Sequence, residues 1–180
     1  LVYTEVKSEL KAGDRVFIIN GAYDSDLLIE KIGLEKAYKK LGHRLNPTYS
    51  ISKVMWVRDN QPDIWAKTKH ICIAKDFVNQ KLTGRFVTEP SDASSTNCFD
   101  QIKLNWDAEI LNAANIPISY FPEIVSSTTV IGGLTKDAAD HVGLNAGTPV
   151  VAGGGDGPMA ALGAGIIEPS DGAYVCMGSS

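Results

Sequence analysis

The chain has 180 residues, of which 44% are hydrophobic and 21% are charged, and its formal net charge is −4 at pH 7. This apolar fraction suffices for a packed core and the charges nearly balance, so the composition excludes an intrinsically disordered chain and a strongly basic nucleic-acid binder. No apolar run reaches the roughly 18 residues of a membrane span, and the three cysteines lack CxxC spacing, which favours a reducing compartment that we take to be the cytoplasm.

Strands and helices alternate along the first part of the sequence. Apolar, β-branched runs predict strands at residues 15–19 and 70–74. Apolar residues at three- and four-residue spacing predict helices at residues 25–41, interrupted at Gly33, at 52–59, 75–82 and 107–115, and a short helix that begins at Pro62. Residues 89–96 are small and polar, which indicates a turn.

The last fifty residues predict further strands that lead into turns. Thr135 and Gly143 are the expected start and stop signals of a helix at residues 136–142. A buried strand at residues 148–152 leads into the turn GGGDGP at 153–158 and then into a helix of small residues at 159–165. A strand at 173–177 leads into the turn at 178–180. Strands interleaved with helices indicate an α/β fold.

The strongest chemical signal is the glycine-rich turn at residues 153–158. Glycines let a backbone pass close to a ligand and adopt positive φ, and Asp156 stands at the start of the following helix. A carboxylate there lies where open α/β sheets bind their ligands. The alternative is that Asp156 only caps the helix and the glycines only form a turn. The turn has the spacing of neither the Walker A motif nor the dinucleotide-binding fingerprint.

Short motifs stand in a fixed order between about Pro47 and the last residue. They are a K-x-x-W segment within residues 53–60, KDF at 75–77, LTG at 82–84, SDASST at 91–96 with Asp100 and Trp106, IGGL at 131–134, GL at 143–144, GTPVV at 147–151 and GGGDG at 153–157. In this order they resemble the motifs of the FGGY carbohydrate kinases, and most closely those of the xylulokinase-like members.

The resemblance implies an α/β fold of the actin-like ATPase type, in which two ribonuclease-H-like domains enclose an active site. Residues 1–168 are then expected to be the later part of the N-terminal domain, which is incomplete. Residues 169–180 are expected to start the C-terminal domain with its first strand. The implied activity is ATP-dependent phosphorylation of a sugar hydroxyl, of a pentulose such as xylulose, with Mg²⁺ as the cofactor.

The resemblance also implies roles for individual residues. Asp156 matches the general base, which accepts the proton of the sugar hydroxyl as its oxygen attacks the γ-phosphorus. Asp156 and Gly157 are implied to bind the sugar. The implied contacts with the ATP phosphates are Gly155 and the turn of Gly178, Ser179 and Ser180, in which Ser179 replaces the usual threonine. No metal ligand is assigned to this chain.

Departures from the family pattern keep other substrates and another class of function open. Gly157 stands where xylulokinases often carry asparagine, so ribulose, gluconate, glycerol and erythritol are alternative substrates. No role is assigned to Asp24, because the W-x-D-x-R-like segment of the family is not matched there.

Two family segments are absent from the sequence. They are the N-terminal Asp-x-Gly-Thr turn, which brings a carboxylate for magnesium, and the C-terminal adenosine-binding segment. The chain alone is therefore predicted to be incomplete for activity, and a non-catalytic fragment or a sugar-binding module is the alternative function. The expected partner is a small-molecule sugar, and no nucleic acid or membrane is expected to bind. A homodimer is a further option for the assembly.

Overall fold

The computed structural model describes residues 2–6, 16–20, 23, 25–175 and 177. Its α-helices are α1 (Asp26–Ile32), α2 (Leu34–Leu41), α3 (Ser50–Asn60), α4 (Pro62–Trp65), α5 (Ala74–Thr83), α6 (Pro90–Ala93), α7 (Ala108–Ala113), α8 (Lys136–Val142) and α9 (Asp156–Gly163). Its strands are β1 (Val2–Val6), β2 (Val16–Asn20), β3 (Val87–Thr88), β4 (Phe99–Asp100), β5 (Asn105–Trp106), β6 (Glu123–Ile124), β7 (Val130–Gly133) and β8 (Pro149–Val151). Short 3₁₀ segments cover Ser94–Thr96, Ile118–Tyr120 and Pro169–Asp171.

These elements belong to two compact units. The first unit comprises residues 1–71 and 94–121, and the second unit comprises residues 72–93 and 122–180. Within the described residues the strands pair two by two: β1 with β2, β4 with β5 and β7 with β8 are antiparallel, and β3 with β6 is parallel. In the β1–β2 pair, Val2 lies opposite Asn20 and Val6 opposite Val16.

The first unit is held together by an apolar core between its helices. α1 and α2 are separate helices because Gly33 between them has a φ of 83°, a conformation that glycine adopts without strain. α7 begins after Asp107, whose carboxylate accepts a hydrogen bond from the Ile110 N–H and lies 2.6 Å from Lys40 Nζ. The core includes the buried side chains of Leu28, Leu41, Ile51, Met55, Cys98, Ile110 and Leu111.

The second unit is built around α5. This helix contacts β3, β7, β8 and α8, and a small apolar core of Val87, Ile131 and Ala152 lies beside it. Asn79 of α5 donates a side-chain hydrogen bond of 3.0 Å to the carbonyl of Ala152, which directly follows β8. The end of β8 is therefore fixed against α5, and it is the glycine-rich turn that leaves this point.

Most of the predicted elements are confirmed. The helix at residues 25–41 is interrupted at Gly33, and the helices at 52–59, 75–82, 107–115 and 136–142 correspond to α3, α5, α7 and α8. α4 begins at Pro62, and the small-residue helix corresponds to α9, which begins three residues earlier. The strands at 15–19 and 148–152 correspond to β2 and β8. Among the described residues, no helix has the length and apolar character to cross a membrane.

The strand predicted at residues 70–74 is wrong. α5 already begins at Ala74, and the Asp76 carboxylate accepts a hydrogen bond of 3.4 Å from the Ile73 N–H, which caps the helix at that point. The turn predicted at residues 89–96 is likewise more regular than expected, since it contains α6 and a 3₁₀ segment.

The strand predicted at residues 173–177 is also wrong for the part that the structure describes. Residues 172–175 have no regular secondary structure, and Cys176 lies outside the described residues. A strand needs a partner for its backbone N–H and C=O groups, and no described strand pairs with this segment. The assignment of residues 169–180 to the start of a second domain is not tested by this segment and stays a prediction.

β8 is formed, but it is not buried as predicted. Val150 packs against the small core of the second unit, whereas Val151 is 50% exposed. The reason is the period of two along a strand, which turns Pro149 and Val151 away from the side that Val150 covers.

Candidate active site

The glycine-rich turn joins β8 to α9 and presents Asp156 at the surface. Gly153 has a φ of 80°, which favours glycine. Gly155 is the N-cap of α9 and Asp156 is its first residue, so the interpretation of Asp156 as the capping residue is wrong. The exposed Asp156 carboxylate accepts a hydrogen bond of 2.8 Å from the N–H of Gly157. The helix N-terminus favours a negative charge at this position.

One lysine stands among the charged side chains beside this turn. Lys75, in the first turn of α5, has its Nζ 3.3 Å from the carboxylate of Asp76, 3.7 Å from that of Glu89 and 3.6 Å from that of Asp92. The same Nζ donates a hydrogen bond of 3.3 Å to the carbonyl of Ala152. We call Lys75, Asp76, Glu89 and Asp92 the charged cluster. It ties α5 and α6 to the residue that precedes the glycine-rich turn.

Two carboxylates of the charged cluster are buried in different environments. Asp76 is 1% exposed, and its burial raises the pKa of the carboxyl to about 6, although the neighbouring lysine opposes this. Burial by itself would also raise the pKa of Glu89. Its carboxylate, however, accepts hydrogen bonds from the hydroxyls of Ser91 and Ser127. It also accepts bonds from the N–H groups of Ser91 and Asp92, and the net result is a lowered pKa for Glu89. Glu89 is therefore ionised at neutral pH.

Asp76→Asn should remove a pH dependence of stability. The carboxyl pKa rises from 3.8 to about 6 on folding, so the folded state holds this proton more tightly. The contribution of this group to the free energy of unfolding is therefore greatest below about pH 4 and falls as the pH rises through about 6. Between pH 4 and pH 7, we expect the free energy of unfolding of the wild-type protein to fall by on the order of 2 kcal/mol relative to that of Asp76→Asn.

Urea unfolding at both pH values measures this difference. Asp137→Asn is the control, because Asp137 is an exposed residue of the first turn of α8. It should leave the pH dependence unchanged. An Asp76→Asn protein whose stability differs from wild type by the same amount at pH 4 and pH 7 would contradict the raised pKa.

Ser91 connects the charged cluster to the glycine-rich turn. Its Oγ lies 2.9 and 2.8 Å from the two carboxylate oxygens of Glu89, to which it donates. The same Oγ accepts a hydrogen bond of 2.9 Å from the N–H of Gly155. A Cβ added at Gly155 would lie 3.6 Å from this Oγ. The residue before Asp156 is thus held from outside the turn.

Asp92 lies within the electrostatic influence of Asp156. Burial raises the pKa of the Asp92 carboxyl, the negative charges of Glu89 and Asp156 raise it further, and Lys75 opposes the rise. The Asp92 side chain is partly exposed. A second carboxylate therefore lies within electrostatic reach of Asp156, and carboxylates accept hydrogen bonds from hydroxyl groups.

A family comparison covers the whole of this site. Residues 22–163 match the sequence model described as "FGGY family of carbohydrate kinases, N-terminal domain". The chain belongs to the FGGY family. The match begins at residue 22, earlier than the motif resemblance, which begins at about Pro47. It includes the charged cluster and the glycine-rich turn of this FGGY chain.

Relatives in the FGGY family include kinases with different named substrates. The xylulose kinase of Haemophilus influenzae is 36% identical over 151 residues, which are 82% of this chain and 31% of that protein. The autoinducer-2 kinase of Yersinia enterocolitica is 31% identical over 120 residues, which are 67% of this chain and 23% of that protein. The chain thus spans less than a third of the length of these relatives.

The fold of this FGGY chain is also found in solved structures. The crystal structure of xylulose kinase from Rhodospirillum rubrum superposes with a TM-score of 0.80 at 24% identity, over 93% of this chain and 35% of that one. The mixed α/β chain has the actin-like ATPase fold of the FGGY sugar kinases, which confirms the predicted fold class.

The structure brings together some of the site residues predicted for this FGGY chain. Gly155, Asp156 and Gly157 are consecutive at the start of α9. The predicted phosphate contacts Gly178, Ser179 and Ser180 lie outside the described residues, as does Asp24. The Gly155 N–H already donates to a serine hydroxyl. The Gly155 N–H is therefore not left to bind a phosphate. The predicted phosphate contact would depend on the close approach that a residue without a side chain allows.

Lys75, Glu89 and Ser91 of this FGGY chain have no role predicted from the sequence. The position of Lys75 in the first turn of a helix is a signal that the sequence does contain. A lysine there lies at the positive end of the helix dipole, so it needs anionic neighbours. The burial of Glu89 has no signal in the sequence. Among the described residues, no group of three His, Cys, Asp or Glu side chains is placed to hold a metal ion.

Proposed function

We propose that the protein transfers the γ-phosphoryl group of ATP to a hydroxyl group of a sugar or polyol, with Asp156 as the general base. The observation that carries this proposal is the exposed Asp156 carboxylate at the first residue of α9, behind a turn that Ser91 holds. Membership of the FGGY family supports the reaction class.

The proposed step requires a carboxylate that receives one proton. As the sugar oxygen bonds to the γ-phosphorus, its proton passes to an Asp156 oxygen and the bond from the γ-phosphorus to the leaving oxygen of ADP breaks. Phosphoryl transfer depends mainly on positioning and on charge stabilisation, so a weak base in a fixed place is adequate. The backbone of the glycine-rich turn, bound at Gly155, gives Asp156 that fixed place.

The family implies that ATP is bound with Mg²⁺, which would neutralise charge on the phosphates. The described residues do not offer a ligand set for this ion. The carboxylates nearest to the glycine-rich turn are already paired with Lys75. The step assigned to Asp156 concerns only the proton of the sugar hydroxyl, and Mg²⁺ stays the expected cofactor of ATP.

For the substrate we favour a pentulose such as xylulose. The xylulose kinase of Haemophilus influenzae, at 36% identity, supports this choice. Gly157 is a reason to test other sugars and polyols as well. A Cβ added there would meet no atom within 4 Å among the described residues. The neighbour of Asp156 thus adds no side chain that could select one sugar. Ribulose, gluconate, glycerol and erythritol are the other candidates.

A panel of these five compounds should identify the substrate of the whole protein in a coupled assay of ADP release. We expect one compound, xylulose, to exceed the others by at least about tenfold in kcat/KM, because each tenfold needs only about 1.4 kcal/mol of differential transition-state binding. ADP release that no compound stimulates would contradict the kinase proposal. Sugar binding by calorimetry without ADP release would favour a sugar-binding module instead.

Further expectations accompany the kinase proposal. We place the domain boundary between residues 168 and 169, and the phosphate turn at Gly178, Ser179 and Ser180. A cytoplasmic location and a homodimer stay predictions.

A further inference from the structure

We propose that Ser91 and Glu89 are positioning residues, which hold Asp156 in its productive place through the backbone of Gly155. This inference rests on the proposed function, because the role belongs to the same phosphoryl transfer. Three bonded groups form a chain: the Gly155 N–H donates to Ser91 Oγ, and the Ser91 hydroxyl donates to the Glu89 carboxylate.

The charge of Glu89 sets the direction of this chain. An ionised carboxylate only accepts hydrogen bonds, so the single proton of the Ser91 hydroxyl points to Glu89. The lone pairs of Ser91 Oγ are then left for the Gly155 N–H, at 2.9 Å. Glu89 itself is fully buried and receives four hydrogen bonds from its surroundings, so its position is fixed.

The glycine-rich turn needs such an external bond. Three successive glycines have the broadest backbone freedom of any residues, and only contacts can select one conformation for them. Gly155 immediately precedes Asp156, so a change in its backbone angles moves the carboxylate. A misplacement of about 1 Å at a reacting group can cost on the order of 100-fold in rate.

A second serine provides a matched comparison. Ser127 also donates its hydroxyl to Glu89, at 2.9 Å. Its contact with the glycine-rich turn is made by its backbone carbonyl, which accepts a bond of 3.0 Å from the Gly153 N–H. Ser127→Ala therefore removes one bond to Glu89 and leaves the backbone contact intact. Ser91→Ala removes one bond to Glu89 and also the acceptor for Gly155.

The test compares Ser91→Ala, Ser127→Ala and Ser91→Thr in the whole protein, with kcat and the sugar KM measured by ADP release. For Ser91→Ala we expect kcat to fall on the order of 10- to 100-fold while KM changes less than about threefold, because a positioning loss acts on the transition state. Ser127→Ala should stay within about threefold of the wild-type kcat. Ser91→Thr keeps the hydroxyl and should restore most of the kcat.

Glu89→Gln is the second variant, should Ser91→Ala fail to fold. It keeps the shape of the side chain but removes the charge that orients the Ser91 hydroxyl, and its kcat should fall as well. The inference is overturned if Ser91→Ala, or Glu89→Gln in its place, retains kcat within about threefold of wild type. It is also overturned if Ser127→Ala loses as much kcat as Ser91→Ala, since the serines would then only stabilise Glu89.

Amide hydrogen exchange separates this inference from the proposed function. A wild-type protein that phosphorylates no compound refutes the proposed function, whatever the variants do. Even in that case, amide hydrogen exchange at residues 153–157 tests the hydrogen bond between the Gly155 N–H and Ser91 Oγ. Faster exchange there in Ser91→Ala, with Ser127→Ala unchanged, supports the positioning of the turn, and equal exchange in both overturns it.

Discussion

Asp156→Ala should lower sugar-dependent ADP release on the order of 10²- to 10⁴-fold, the contribution expected of a general base. The side chain is exposed at the start of α9, and its carboxylate bonds to the neighbouring Gly157 N–H. Its loss should therefore leave the fold intact. Steady-state kinetics of the whole protein with the preferred sugar, together with thermal unfolding, measure both effects.

Asp137→Ala is the matched control for this experiment. Asp137 and Asp156 are exposed aspartates in the first turns of α8 and α9, and both interact with the positive end of a helix dipole. If Asp156 served only the helix, the two variants would behave alike. We expect Asp137→Ala to retain the wild-type kcat. An Asp156→Ala protein with more than about a tenth of the wild-type kcat would refute the assigned role.

Lys75→Met should be the most destabilising single change in the charged cluster. It removes the cation that lies within 3.7 Å of three carboxylates, of which those of Asp76 and Glu89 are buried. Removing one partner of a buried ion pair costs about 3–5 kcal/mol. The Lys75 side chain is partly exposed, so we expect a loss of about 3 kcal/mol in the free energy of unfolding. Urea unfolding at pH 7 measures it.

Two further measurements separate this explanation from a loss of packing. Lys136→Met removes a lysine whose ion pair with Asp140 is exposed, so it should change stability little. The deficit of Lys75→Met should shrink as the pH falls from 7 to 4, because the raised pKa of Asp76 lets that carboxyl become neutral early. A deficit that is the same at both pH values would mean that the methylene chain, not the charge, stabilises the unit.

Local signals in the sequence predicted most helix ends. Gly33, Gly84 and Gly143 all have positive φ at the positions where the helical pattern stops. This preference belongs to glycine itself, so no tertiary information is needed to find it. The same is true of the Thr135 cap, whose side chain accepts a bond from the Ala138 N–H.

Features that depend on distant residues could not be predicted. An apolar run such as residues 70–74 is compatible with a strand or with the approach to a helix, and the Asp76 cap decides between them. The motifs identified Asp156 by resemblance, yet the bond that fixes its turn joins residues 64 positions apart. The burial of Glu89, whose carboxylate accepts a hydrogen bond from the Ser91 hydroxyl, comes from the packed chain and has no periodic signature.

The discontinuity of the second unit has a consequence for its assembly during synthesis. Residues 72–93 leave the ribosome well before residues 122–180, and the segment 94–121 between them belongs to the other unit. Lys75 binds the carbonyl of Ala152, 77 positions later. Until Ala152 emerges, Lys75 lacks this hydrogen-bond acceptor, and the charged cluster is not yet tied to the residue that precedes the glycine-rich turn. Contacts of such long sequence separation form slowly, so the second unit should be the later part of the fold to form.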